Sequence, residues 1–442
     1  MSADKETCPE ASLLERSVPK KEIASWAMFD FANSSYVTVV STAIFNAYFV
    51  GTVAKSMGAG KATLFLTSVI ALSNFLVVVT APVIGAVADF TASKKKLLLI
   101  TSISLVMAVV LLGFVGPGAI FFGLCVLAVA NLMFGTGEDL IAAFLPEIAT
   151  QKNMGRISAI GWATGYIGGL GVLGACLAYI KYAESLGQTS PQYVPVTMWI
   201  VALVFTLAAT PTFLFLKERV EPQKLPENES YWTIGFGRLI HTFKNRADYR
   251  DLFVFLAALL AFTSGSTTVA VMAAVYAEQV MGFTTGDTVL MIMVVNIAGA
   301  IGAFVFGAIQ DKIGSKKAVS LSLIIWIVAV GLVIASASKA MFWAAAVLMG
   351  SAMGASASAG RALVGQFAPP KRAAEFFGLW GLSVKAAAIL GPLSYGFFTY
   401  IASGNFRISL LSTISYFIIG LIILAFVNEE RGKEAARREA GI

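Results

Sequence analysis

The chain has 442 residues, of which 57% are hydrophobic and 13% charged, with a mean hydropathy of +0.80. Soluble domains carry about twice that share of charge, so lipid is expected to cover most of the apolar surface and a water-soluble globule is excluded. The net charge of +7 comes from Lys and Arg in short clusters between apolar runs, which reads as membrane topology and not as a nucleic-acid-binding stripe.

Residues 1–23 form a polar tail without the apolar core of a cleaved signal peptide, so the first membrane helix is expected to target the chain. Spanning helices need about 20 apolar residues. Twelve such segments are predicted, at 24–50, 62–88, 96–115, 119–146, 157–183, 194–216, 252–280, 287–309, 317–337, 340–368, 374–402 and 405–427. The expectation is an all-α membrane protein with a six-helix bundle over 24–216, a linker over 217–251, a second six-helix bundle over 252–427 and a tail over 428–442. In the linker, Trp232, Phe236, Leu239, Ile240 and Phe243 recur at helical spacing among Arg238, Lys244 and Arg246. That pattern fits an interfacial helix or a hinge packed on the two bundles. With both termini on the cytoplasmic side, 25 of the 32 Lys and Arg fall on that side and five on the other (Lys55, Lys61, Lys181, Lys339 and Arg407). The bias sets this orientation, and a bacterial plasma membrane is the expected location.

The two halves are copies. A shift of 222 places Asn74 on Asn296, Gly85 on Gly307, Asp89 on Asp311, and Lys94 and Lys95 on Lys316 and Lys317. Nine of 22 positions between 74 and 95 are identical under this shift, where chance gives about two. Two homologous bundles around a shared midplane are how many secondary transporters are built.

The turn Gly85-Ala-Val-Ala-Asp89 before Lys94, with its copy at 307–317, resembles the signature loop of the major facilitator superfamily, between its second and third helices and again between its eighth and ninth. Gly allows close helix approach. Asp suits the N-terminus of a neighbouring helix or a basic partner. These residues are therefore expected to gate. Four further stretches narrow the resemblance: WAMFDFANSSY at 26–36, FLPEIA at 144–149, GRISAIGWATGYIGG at 155–169 and AEFFGLWGLSVKAAAILGP at 374–392. Together they are similar to the branch of the autophagy-related vacuolar amino-acid effluxer and its bacterial relatives. The resemblance implies movement of small polar metabolites, amino acids first. It also implies that the first, fourth, seventh and tenth helices line a central cavity.

Ionisable groups within membrane helices are costly and are expected to face a cavity or a partner. Five stand out: Asp30, Glu138, Asp139, Arg361 and Lys385. The shift of 222 takes Asp139 to Arg361, so an acid and a base are expected to face each other across the site. Such a pair suits a zwitterion, or equally an internal ion pair that gates. Adjacent residues diverge by about 100° on a helix. One of Glu138 and Asp139 is thus expected to face the cavity and the other a neighbouring helix. Proton coupling through Glu138 or Asp30 stands beside a purely structural role for these acids. Asn33 and Tyr36, in the polar run of the first helix, are candidate substrate or coupling residues, and Trp162, Tyr166 and Trp380 fall in the motifs as candidates to shape the cavity, or ordinary packing residues. The polar runs 33–38 and 263–268 are expected either to unwind locally or to back-bond within ordinary helices. Asn74 and Asn296 are read as interhelical glue, and Pro392 as the site of a kink in the eleventh helix.

Cys8, Cys125 and Cys176 form no disulfide or metal pattern, no P-loop is present, and the single histidine, His241, lies in the linker. No catalytic set, cofactor or metal is expected. The partners expected are a small solute, protons and the bilayer, with the chain acting as a monomer. Rival readings are an exporter of a larger organic compound and a non-transporting sensor or scaffold.

Overall fold

The computed structural model describes residues 18–222, 249–283, 285–335, 338–401 and 406–439, with four isolated positions (Thr233, Gly237, Ile240 and Lys244) between 223 and 248. The linker pattern of Trp232, Phe236, Leu239 and Phe243, and His241, lie outside the described residues.

Twelve long helices follow in order: α1 Lys20–Tyr36, α2 Ala59–Thr91, α3 Lys94–Leu112, α4 Ile120–Ala142, α5 Met154–Ser185, α6 Ser190–Phe215, α7 Arg250–Gln279, α8 Thr285–Ile313, α9 Ser315–Ala335, α10 Lys339–Phe367, α11 Ala373–Ile401 and α12 Phe406–Ala425. Eleven described spans are long and apolar enough to cross a membrane alone. The twelfth, Leu410–Ala425, qualifies together with α13 (Glu429–Glu439), from which it bends by 62°. The chain is a multi-pass membrane protein. Leucines, isoleucines and phenylalanines point outward along these helices, as a lipid-facing surface requires.

The packing is the same in both halves. In the first, α1 packs on α5 and α6, α4 on α2 and α3, and α3 on α6. In the second, α7 packs on α11 and α12, α10 on α8 and α9, and α9 on α12. The bundles meet where α5 crosses α8 and α10, and where α11 crosses α2 and α4. This is the pseudo-two-fold arrangement that the repeat implies.

Local structure bears on three of these features. The first span passes from α1 into π-helix over Val37–Ala43 and again over Phe49–Val53, which widens the turns beside the polar run. The seventh helix is unbroken through Thr263–Thr268, because its hydroxyls bond back to carbonyls one turn earlier, as Ser264 does to Leu260 and Thr268 to Ser264. Helix α11 likewise continues through Pro392.

Candidate functional site

The two signature loops lie on one face of the molecule, with both described chain ends. On α2, a Cβ at Gly85 would sit 2.5 Å from the Ala374 carbonyl oxygen, so only hydrogen fits against the start of α11. Asp89 then accepts the Glu375 N–H at 3.0 Å, an anion at a helix N-terminus. On α8 the copy repeats the move against α5. Gly307 lies against Ala159, and Asp311 accepts the Arg156 N–H at 3.3 Å. Lys94 is fully buried and bridges Asp89 at 3.2 Å and Glu147 at 2.7 Å. Lys95 donates to the Leu216 carbonyl. Lys316 donates to the carbonyls of Ala425 and Val427, while Lys317 lines a surface groove with Lys312 and Glu430. The copies are therefore not equivalent: Lys316, aligned with Lys94, does the work of Lys95. Glu218 caps α3 through the N–H groups of Lys94 and Lys95, and Glu429 caps α9 through those of Ser315 and Lys316. Burial pushes the Glu218 carboxyl above the usual carboxylate range, against the pull of those donors.

Deeper in the molecule a cavity of about 220 Å³ opens between the bundles, lined among others by Asp30, Asn33, Phe134, Glu138, Asn296 and Arg361. A second compartment of about 390 Å³ adjoins it, with Leu259, Phe262, Met353 and Val384 on the C-terminal side. Val37, Glu138, Trp162, Tyr166 and Trp380 border both. Asp30, Asn33 and Arg361 line only the first compartment, while the second adds the hydroxyls of Thr263, Ser266, Thr267 and Ser356 among apolar side chains.

Arg361 holds the first compartment together. Its Nη1 donates to Asp30 Oδ2 at 2.8 Å, its Nε to Ser158 Oγ at 3.1 Å and its Nη2 to the Ser158 carbonyl at 2.8 Å. The guanidinium lies over the rings of Trp26 and Trp162, 4.8 and 5.4 Å from their centroids. Gly161 makes room for this cluster, since a Cβ there would strike Asp30, Arg361 and Trp26. A guanidinium has five N–H donors. Three of these are used here, which leaves two without a partner among the described residues. The other intramembrane base, Lys385, donates to Glu138 Oε2 at 2.9 Å. Each pair joins one bundle to the other. With the contacts of Asp89 and Asp311, these bonds between the bundles gather in the half next to the charged loops.

The predicted residues are placed as follows. Asp30, Asn33, Glu138, Trp162, Tyr166, Arg361 and Trp380 line the cavity, and Lys385 reaches it through Glu138. Tyr36 does not. It is fully buried in the first bundle and donates to Asn131 Oδ1 at 2.8 Å, because it lies off the face that carries residues 30, 33, 34 and 37. Asp139 does not meet Arg361, as the repeat suggested. Arg361 turns to α1 and α5, and Asp139 turns to α11, against Gly381. The shift aligns backbone positions, whereas the partner of each side chain depends on which helix lies beside it. Asn296 is no interhelical glue: its Nδ2 bonds the Ile292 carbonyl of its own helix, and it lines the cavity. Trp26, Ser158 and Gly161 are site residues that sequence reasoning missed, although all three lie in the quoted motifs. Asn131, a lone amide in a membrane helix, was also a legible signal.

The sequence model described as "Vacuole effluxer Atg22 like" matches residues 18–437. An uncharacterized MFS-type transporter, YxiO of Bacillus subtilis, is 26% identical over 422 residues, spanning 95% of this chain and 97% of the relative. Autophagy-related protein 22-1 of Neosartorya fischeri is 23% identical over 304 residues, or 64% of this chain and 49% of the fungal protein. Among solved structures, FucP in its outward conformation aligns with a TM-score of 0.73 at 12% identity, over 92% of this chain and 98% of that one. The human organic anion transporter MFSD10 aligns with a TM-score of 0.72 at 12% identity, over 92% and 100%. These structures share the fold of two six-helix bundles, and the chain belongs to the Atg22-like family of major facilitator superfamily transporters.

Proposed function

We propose that this transporter moves a small zwitterionic metabolite, an amino acid first, by alternating access. The observation that carries the reading is the first compartment: Arg361, with two N–H donors that have no partner among the described residues, lines one wall, and the Glu138 carboxylate, 27% exposed, stands on another. A carboxylate takes the guanidinium in bidentate fashion, and an ammonium takes Glu138. Asn33 Oδ1 and Trp162 Nε1, on residues of the same walls, are buried without partners among the described residues. The adjoining apolar compartment gives room for a side chain.

In this reading the charged-loop face is cytoplasmic, the membrane is a bacterial plasma membrane, and the structure is the state closed to the cytoplasm. Rocking the bundles breaks the bonds around Asp89 and Asp311 and opens that face. The chain works as a monomer, with proton coupling. A second reading, export of a larger organic compound, draws on the 390 Å³ apolar compartment.

Counterflow in proteoliposomes with labelled amino acids, peptides, organic acids and apolar drugs, at two pH gradients, separates these readings. Amino acids are expected to exchange, and Arg361→Ala to weaken them by about 3 kcal/mol, roughly a hundredfold. Exchange of drugs alone, or unchanged exchange in Arg361→Ala, sinks the zwitterion reading.

A further inference from the structure

Asp139 is the intramembrane charge-bearing residue that the site leaves unengaged. It is 6% exposed, and neither carboxyl oxygen has a hydrogen-bond partner among the described residues. Its carboxyl fills the notch that Gly381 leaves in α11. One helical turn further along α11, Lys385 holds Glu138 instead, although its charge acts on both acids. One ammonium therefore stands beside two adjacent carboxyl groups and engages one of them. An ionised carboxylate without hydrogen bonds is far more costly in a low dielectric than a neutral acid. Asp30 is already held by Arg361 and Glu138 by Lys385.

Lys385 of α11 and Glu138 of α4 are the groups that act on Asp139. Asp30 of α1 stands beyond Glu138. The charges of α2 and α3 sit at the helix ends, with Lys61 at one end of α2 and Asp89, Lys94, Lys95 and Lys96 at the loop.

We propose that Asp139 holds the proton that this transporter exchanges for its solute. The step rests on the zwitterion reading above. The solute's ammonium takes Glu138 and releases Lys385, which turns to Asp139. The Asp139 O–H bond breaks, its electron pair stays on the carboxylate to pair with Lys385, and the proton leaves to water in the cavity. One proton is released for each zwitterion bound, so the two compete and the exchange moves one charge. Arg361 keeps Asp30 throughout and offers its two free N–H groups to the solute's carboxylate.

Infrared difference spectra of the full chain in nanodiscs test the first half. The solute-free protein is expected to show the carbonyl stretch of a protonated carboxyl that shifts on ¹³C-aspartate labelling and is absent from Asp139→Asn. The labelled wild type keeps the test open if the variant does not fold. A band that is missing, insensitive to aspartate labelling or retained in Asp139→Asn overturns the proposal. The second half uses an amino acid accepted in counterflow. Its binding is expected to abolish the band, to release one proton in weak buffer and to weaken about tenfold per unit of acidification. In Asp139→Asn the ratio of gradient-driven to gradient-free flux is expected to fall to one. Binding that ignores pH, or flux in the variant that still follows the gradient, overturns the exchange. A panel in which no amino acid exchanges sinks the zwitterion reading and the exchange with it, while the aspartate band still reports whether Asp139 is protonated.

Discussion

The two signature loops descend from one sequence, and they are held in different ways. At the α2–α3 turn a buried cation, Lys94, ties Asp89 to Glu147. At the α8–α9 turn the buried side-chain bonds join neutral groups: Gln310 Nε2 donates to Ser315 Oγ at 2.8 Å, and Ser315 Oγ donates to Gln366 Oε1 at 2.9 Å. Both turns keep a left-handed residue, Ala92 in one and Gly314 in the other. Both also keep a Gly against the facing bundle, an Asp on that bundle's helix N-terminus and a Glu cap. The shared parts make the contacts between the bundles at each turn. The part that differs, charged against neutral, sets how firmly each turn is fastened to its own bundle.

The largest effect should come from breaking the charged version. Lys94→Met leaves two buried carboxylates without a cation and is expected to cost about 3–5 kcal/mol, read as a lower thermal midpoint on size-exclusion chromatography. Adding Asp89→Asn and Glu147→Gln should restore most of the loss, and if it does not, the charge argument fails. Next come the glycines. Gly85→Ala and Gly307→Ala are each expected to cost about 1–3 kcal/mol of the closed state, measured by accessibility of cysteines placed near the loops. Ala159→Gly should rescue Gly307→Ala, whose new methyl meets a side chain. No partner change should rescue Gly85→Ala, whose methyl meets the Ala374 backbone. Breaking the neutral network should do less: Ser315→Ala is expected to cost about 1 kcal/mol by thermal midpoint. A loss equal to that of Lys94→Met would erase the distinction between the turns. The smallest and most equal effects belong to the caps. Glu218→Gln and Glu429→Gln keep an acceptor and lose a charge, at about 0.5 kcal/mol each.

Much of this was legible beforehand. Lys94 and Lys316 align, but the alignment could not say that one ammonium is sealed between two carboxylates and the other reaches carbonyls beyond α12. The cavity-facing set Asp30, Asn33, Glu138 and Arg361 could be found because charge and amide groups are costly in lipid and must turn inward. Tyr36 was misplaced for the complementary reason: a tyrosine is at home on a packed face as well as in a cavity, so its type carries no direction. Ser158 and Gly161 gave no signal of their own, since a small residue matters only through what lies against it.

The sequence by itself determined the twelve membrane helices, the two-fold build and the presence of charge within the membrane. Those follow from apolar length, an internal repeat and the cost of ions in lipid, which are properties of composition and order along one chain. The tertiary structure alone decided that Arg361 takes Asp30, that Lys385 takes Glu138, and that Asp139 is left against Gly381 with no partner. Pairing inside a bundle depends on which helix faces which across a few ångströms, and residues 331 positions apart carry no mark in the sequence that they will meet.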